Sequence, residues 1–229
     1  MKIVKIVKNN KIWILLLFLC IVFGFLYYNT VENFTVDEYN YIHKVLLDNL
    51  EKTIEIFKNH NIEYWGIAGT LLGCVRESKI IDKDDDIDIA IHDKDYKKLL
   101  SYVNNKNSNN KLKNDLNKHN LELIKGWDML KIVSHRKDNN YKINKIFIDI
   151  MSFKLENDKY ILTYDSHRKF WPKMWFHKNE LYPLVKSNLN HLKINIPNKP
   201  IKYLERFYGN WRIPDNKESK HESELNLSI

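Results

Sequence analysis

Cysteine is scarce in this chain: 229 residues contain two, Cys20 and Cys74. Cys20 falls in an apolar stretch near the N-terminus. That leaves one cysteine for any globular part, so no internal disulfide can brace it and its fold must rest on packing. The sequence has no close His/Cys grouping with zinc-ligand spacing and no Gly-x-Ser-x-Gly, the sharp turn that presents a hydrolase serine. Glycine is also sparse, six in all, so the small-residue turn Gly66-Ile67-Ala68-Gly69-Thr70 stands out.

Long hydrophobic runs are limited to one. Ile12 to Tyr28 carries no charge and is dominated by Leu, Ile, Phe and Val. Seventeen helical residues span roughly 26 Å, slightly less than an average hydrocarbon core, and a thin membrane such as that of the ER–Golgi system fits best. Lys2, Lys5, Lys8 and Lys11 precede the run, while Glu32, Asp37 and Glu38 follow it. The positive-inside rule then keeps the N-terminus cytosolic and sends the bulk of the chain to the far side. A cleaved signal peptide is the rival reading, but bulky Phe25, Leu26, Tyr27 and Tyr28 offer no small-residue cleavage site. The expected organisation is a cytosolic N-terminus over 1–11, a transmembrane signal anchor over 12–28, a linker over 29–39, a catalytic domain over 40–214 and a polar tail over 215–229. The protein is then a single-pass type II membrane protein with a lumenal domain in the ER or Golgi.

Excess charge of one sign is missing from the remainder. The formal net charge is +8, but four of the 37 basic residues are the N-terminal lysines, which leaves 33 against 29 acidic ones. No basic-aromatic motif for RNA or DNA occurs, and no nucleic-acid partner is expected. About 200 residues suffice for one domain with a substantial core.

What the chain does have is concentrated between Gly66 and Ile91. Asp84, Asp86 and Asp88 recur at a spacing of two, with Ile87, Ile89 and Ile91 between and after them. In a strand, alternate residues share a face, so the pattern predicts a charged side and a buried side. Carboxylates so placed repel one another unless a cation lies between them, and an all-oxygen donor set suits Mg²⁺ or Mn²⁺. A solvated acidic surface strand is the plainer alternative. Upstream, Gly69-Thr70 before Leu71-Leu72 predicts a helix start, whose N–H groups can receive a phosphate. A phosphate turn close to a metal-binding strand is the layout of a phosphoryl- or nucleotidyl-transfer site.

Elsewhere, periodicity predicts helices over 36–60, Thr70–Arg76, Asp93–Val103 and Pro200–Tyr208, the last with Gly209 as its C-cap. Strands are predicted over Asp86–Ile91, Leu121–Ile124, Met129–His135, Ile143–Phe153 and 158–163. The Asn/Lys tract 104–120 reads as a mobile insertion loop. Asp149 interrupts the apolar run INKIFIDIMSF; such a charge is costly unless paired or bound to metal, which makes it the candidate third carboxylate, with a polar residue at a sheet edge as the alternative. Aromatic residues around Phe170-Trp171 and Trp175-Phe176 either close the core or form a stacking platform. His92 and His135 are assigned no role.

The segment Gly69-Thr70-Leu71-Leu72-Gly73, Arg76 and Asp84-Asp85-Asp86-Ile87-Asp88 resembles the LicD family, whose eukaryotic relatives include fukutin and fukutin-related protein. Leu181-Tyr182-Pro183-Leu184, Ile194-Asn195-Ile196-Pro197 and Tyr208-Gly209-Asn210-Trp211 are similar to that family's closing segment. The resemblance covers about residues 40 to 214 and implies an α+β, nucleotidyltransferase-like fold: a mixed sheet with packed helices, here preceded by one N-terminal transmembrane helix. It implies transfer of a phospho-alcohol, such as phosphocholine or ribitol phosphate, from a CDP-linked donor to a glycan acceptor. Asp86 and Asp88 match the metal-binding pair, and Asp149 would complete the catalytic and metal set. Gly69 and Thr70 would hold the donor phosphate through backbone N–H groups and the threonine hydroxyl, and Asp84, just ahead of the metal pair, would join the substrate-binding set. Arg76 would steady a phosphate or pair with Asp84 or Asp85. Lys83 stands where the family usually has a Pro-Trp pair, and would contact a phosphate or offset the acidic run. A nucleotidyltransferase, a DxD glycosyltransferase and a non-catalytic scaffold are the competing readings. The topology has a direct check: protease added outside sealed microsomes should spare nearly the whole chain, and digestion of the region after Tyr28 would reverse the orientation.

Overall fold

The computed structural model describes residues 34–105, 110–126, 129–134 and 146–214. The chain divides into two units, Met1–Thr35 and Val36–Ile229, and the fold below is that of the second. The expected anchor over 12–28 and the tail over 215–229 lie outside the described residues. Among the described residues, no helix is long and apolar enough to cross a membrane.

Helix α1 spans Val36–Asn59, with Asp37 and Glu38 in its first turn and Lys58 in its last, the charge order that suits a helix dipole. Its apolar stripe, from Ile42 through Leu46 and Leu50 to Phe57, is buried. Tyr39 also belongs to the buried face, so the domain begins at Val36 and the expected linker ends there. Strand β1 (Tyr64–Gly66) leads into helix α2 (Ala68–Arg76). Strand β2 (Ile87–His92), helix α3 (Asp93–Asn104), helix α4 (Lys111–Lys118) and the antiparallel pair β3 (Leu121–Lys125) and β4 (Leu130–Ser134) follow.

Strand β5 (Ile146–Glu156) is the spine of the sheet. Its first half lies between β2, which is parallel to it, and β4, which is antiparallel; its second half pairs with β6 (Lys159–Leu162). The seven-stranded sheet runs β1-β2-β5-β4-β3, with β6 and then β7 (Trp175–His177) extending from β5. Ile87, Ile89, Ile91, Ile148 and Ile150 are fully buried. The ring of Phe57 on α1 lies 6.4 Å from that of Tyr64, edge-on, and Tyr64 pairs with Ile91, so α1 lies over the isoleucine face.

The opposite face carries Trp65, Asp88, Ala90, His92, Asp149, Met151 and Phe153, as the registers require. Helix α7 (Pro200–Tyr208) covers part of it: Tyr203 stacks on Phe176 with ring centres 4.4 Å apart, and Phe176 meets Phe153 at 5.8 Å. The aromatic segment therefore closes the core through Met174 and Phe176, while Phe170 stays exposed. Between them, short helices α5 (Asp165–Phe170) and α6 (Lys178–Leu181) connect the strands. A separate hairpin, β8 (Val185–Leu189) with β9 (Leu192–Ile196), sits beside β1, where Asn195 Nδ2 donates to the Tyr64 carbonyl. Gly209 ends α7 with φ +72°, as its C-cap position predicts.

Two expectations need correction. The tract 104–120 is not simply a loop. Residues 106–109 lie outside the described residues, but Asn110 accepts a hydrogen bond from the Leu112 N–H and caps α4; Leu112 and Leu116 on that helix are buried. Two leucines four apart give a short helix an apolar face despite its polar composition. The acidic run, likewise, is not one strand: β2 starts at Ile87, and Asp84 and Asp86 belong to the bend that leads into it.

The turn at Lys79, ahead of that bend, packs against Gly73. A Cβ there would fall inside contact distance of the Lys79 carbonyl oxygen. Alanine gains about 1 kcal/mol over glycine in a helix, but backbone crowding costs about 1–3 kcal/mol. Gly73→Ala should therefore lower the melting temperature, as calorimetry would show; an increase would mean that the turn yields freely.

Candidate active site

Asp88 and Asp149 are direct neighbours across the parallel pair β2–β5, and Asp86 lies just ahead of β2. Carboxylate oxygens of Asp86, Asp88 and Asp149 all fall within 4.8 Å of one another, as do those of Asp84, Asp85 and Asp86. Asp85, Asp86 and Asp149 are buried. Burial holds Asp86 well above the usual carboxylate range, and the Asp88 charge adds to this. Burial, then Asp149, does the same to Asp88. Asp84 is pushed up to about 7 by burial and by Asp85. Carboxylate oxygens converging from β2, the bend ahead of it and β5, with Asp86 and Asp88 disfavoured as anions, fit a hard divalent cation.

The start of α2 grips this cluster. Ile67 N–H donates to the Asp88 carbonyl and Asp88 N–H to Thr70 Oγ1, at 3.2 and 2.8 Å. Gly69 N–H donates to Asp88 Oδ2 at 3.3 Å. A Cβ on Gly69 would stand 2.5 Å from Asp84 Oδ2, so only glycine leaves room for that carboxylate. The N-cap residue Ile67 makes no side-chain cap; the acidic side chains supply negative charge at the helix's positive end instead. In this structure the group that Gly69 N–H and Thr70 Oγ1 meet is Asp88, which the start of α2 thereby positions. From the other side, His43 Nε2 donates to the Asp84 carbonyl at 2.7 Å.

Arg76 also departs from expectation. It pairs with Glu77 at 2.7 Å and reaches the Trp211 carbonyl, tying α2 to the segment after α7 rather than to Asp84 or Asp85. Lys83 is exposed on the turn before the cluster, while Lys79 pairs with Asp82 and Glu77. His92 lies at the far end of β2 and bonds Tyr182 and Glu63; His135 lies outside the described residues. Burial pushes the Cys74 thiol up to about 12, away from nucleophilic use.

Sequence reasoning passed over Lys131. It pairs with Asp149 across β4–β5, with Nζ 3.1 Å from Oδ1. Its signal was a lysine at an inward-facing position of a strand next to the one that carries the aspartate.

The family model for the "LicD/FKTN/FKRP, nucleotidyltransferase domain" matches residues 61–199, and the chain belongs to this family, a transferase-like and generally metal-dependent one. Uncharacterized protein RP689 of Rickettsia prowazekii (strain Madrid E) is 31% identical over 163 residues, covering 71% of this chain and 53% of its own length. Uncharacterized protein RT0683 of Rickettsia typhi (strain ATCC VR-144 / Wilmington) is 31% identical over 172 residues, covering 71% and 45%. The chain thus spans about half the length of these relatives. A crystal structure of ANT(2")-Ia in complex with adenylyl-2"-tobramycin superposes with a TM-score of 0.43 at 10% identity, covering 77% of this chain and 83% of that one.

The raised carboxylates set a sign for pH dependence. Their folded-state values lie above the unfolded value of 3.8, so the folded state binds more protons. The stability they contribute is present below that value and is lost as pH rises toward and past about 7, the Asp84 value. The metal-free domain should melt at a higher temperature at pH 5 than at pH 8. Mn²⁺ should stabilise it more at pH 8, where protons no longer compete, by at least about 3 °C, a difference of roughly 1 kcal/mol. An equal or larger Mn²⁺ effect at pH 5 in thermal melts would count against the site.

Proposed function

We propose that this protein is a membrane-anchored, metal-dependent phosphotransferase that moves a phospho-alcohol, of the phosphocholine or ribitol phosphate kind, from a CDP-linked donor to a glycan acceptor. The observation that carries the reading is the convergence of Asp86, Asp88 and Asp149 within one oxygen-ligand cluster in a LicD-family domain. These three residues would hold Mg²⁺ or Mn²⁺, which supplies charge neutralisation for the donor diphosphate and for the leaving phosphate. The acceptor hydroxyl attacks the phosphorus that bears the alcohol. The bond from that phosphorus to the bridging oxygen breaks, CMP leaves with the electron pair, and Asp149 takes the hydroxyl proton. Gly69 and Thr70 serve by fixing Asp88.

Residues 12–28 anchor the protein, and the domain faces the ER or Golgi lumen, where glycan acceptors are available. The near balance of charge beyond the N-terminal lysines supports a glycan rather than a polyanionic acceptor.

A screen of CDP-alcohols tests the proposal. CMP release should require Mg²⁺ or Mn²⁺ and a glycan acceptor. Asp88→Asn should cut it by about two orders of magnitude or more, the loss expected when several kcal/mol of transition-state stabilisation disappear. Pyrophosphate release from CTP or another triphosphate, with labelled nucleotide on the acceptor, would instead establish a nucleotidyltransferase. Near-normal turnover by folded Asp88→Asn protein would remove that residue from the site.

A further inference from the structure

Lys131 sets an ammonium inside the acidic cluster. Lys131 Nζ lies 3.1 Å from Asp149 Oδ1 and 3.3 Å from Oδ2, and its side chain is only 13% exposed. The same ammonium sits 3.7 Å from the centre of the Phe147 ring, whose face attracts cations. The path of the chain is fixed as well. A Cβ at Gly126 would stand 2.9 Å from Lys131 Cε, so the lysine stem packs closely against the bare glycine. Gly126 N–H bonds the Met129 carbonyl at 2.8 Å, which sets that contact beside the start of β4.

A long side chain ordered this way loses rotamer freedom, and an ammonium withdrawn from water needs a partner. Here the partner is a carboxylate that a divalent ion would also use. Once such an ion shares Asp149, two cations face each other across one carboxylate, and the lysine's hold on it weakens. A diphosphate donor brings fresh anionic oxygens to the same place. Lysine suits an exchange of partners, because its ammonium is a point charge with three rotatable donors.

We propose that Lys131 is a donor-phosphate residue parked on Asp149: with a divalent ion and a diphosphate bound, its ammonium passes from the carboxylate to a non-bridging phosphate oxygen. The Phe147 ring keeps the ammonium within reach during the exchange. The inference rests on the reading of the site as a metal-dependent transferase with a diphosphate donor, and it adds a substrate-binding residue on a third strand.

The test uses the full chain, Mn²⁺ and inorganic pyrophosphate, and requires no turnover. Lys131→Met removes the charge and keeps an unbranched side chain against Phe147. Paramagnetic resonance should show Mn²⁺ binding by this variant at least as tight as in the wild type, since a competing cation is gone. Calorimetry should show pyrophosphate binding to the Mn²⁺-loaded variant weakened about tenfold or more, the size of one charge-assisted hydrogen bond. Lys131→Arg should retain most of the affinity. A second measurement needs no variant: in the wild type, pyrophosphate with Mn²⁺ should protect Lys131 from an amine-reactive label more than Mn²⁺ alone does. Unchanged pyrophosphate affinity in Mn²⁺-loaded Lys131→Met, or no added protection, would reduce Lys131 to a brace for Asp149. If the wild type itself binds no Mn²⁺, the metal reading fails and takes this inference with it; a wild type that binds both ligands, matched by Lys131→Met, overturns the inference alone.

Discussion

Asp88 and Asp149 stand side by side because β2 and β5 pair in parallel in one register. Two carboxylates across a strand pair repel, by up to about 1 kcal/mol on an ordinary sheet. The isoleucines on the other face work against that repulsion. Each fully buried isoleucine is worth about 1.5–3 kcal/mol, and Ile87, Ile89, Ile91, Ile148 and Ile150 are all fully buried. A slip of one residue would turn a strand's isoleucines toward the acidic side. The apolar face therefore imposes the register, and the register imposes the acidic pair.

The remaining elements near the cluster compensate for this imposed charge. The start of α2 turns N–H groups toward Asp88, and Lys131 sets an ammonium against Asp149. Helix α1 reaches the bend through His43. These contacts come from segments far apart in the chain, yet each ends on the same few aspartates. They stabilise the cluster without neutralising it: burial and mutual repulsion still hold Asp84, Asp86 and Asp88 above their ordinary range. A divalent ion held between these carboxylates would relieve that repulsion.

The C-terminal part of the domain frames the site. The stack of Phe176 and Tyr203 covers part of the aspartate face, and Tyr208 at the end of α7 lies within reach of the charges of Asp88, Asp84 and Asp86. Arg76 links α2 to Trp211, which couples the helix that positions Asp88 to the segment after α7.

Much of this was legible in the sequence. The spacing of Asp86 and Asp88, the isoleucine alternation and an aspartate inside an apolar run marked three carboxylates and the strands near them, because period-two patterning is a local property. Helix α1, and α7 with its glycine cap, followed from periodicity and end signals alone. The tract 104–120 misled because composition hides two leucines placed four apart, and their burial depends on what lies beneath them. What Gly69, Thr70, Arg76 and Lys131 contact was decided only by tertiary structure. Each is a question of which distant group a donor meets: Asp88 for the start of α2, Trp211 for Arg76, Asp149 for Lys131. Local pattern determines which residues share a face; strand register and packing across the chain determine what each face confronts.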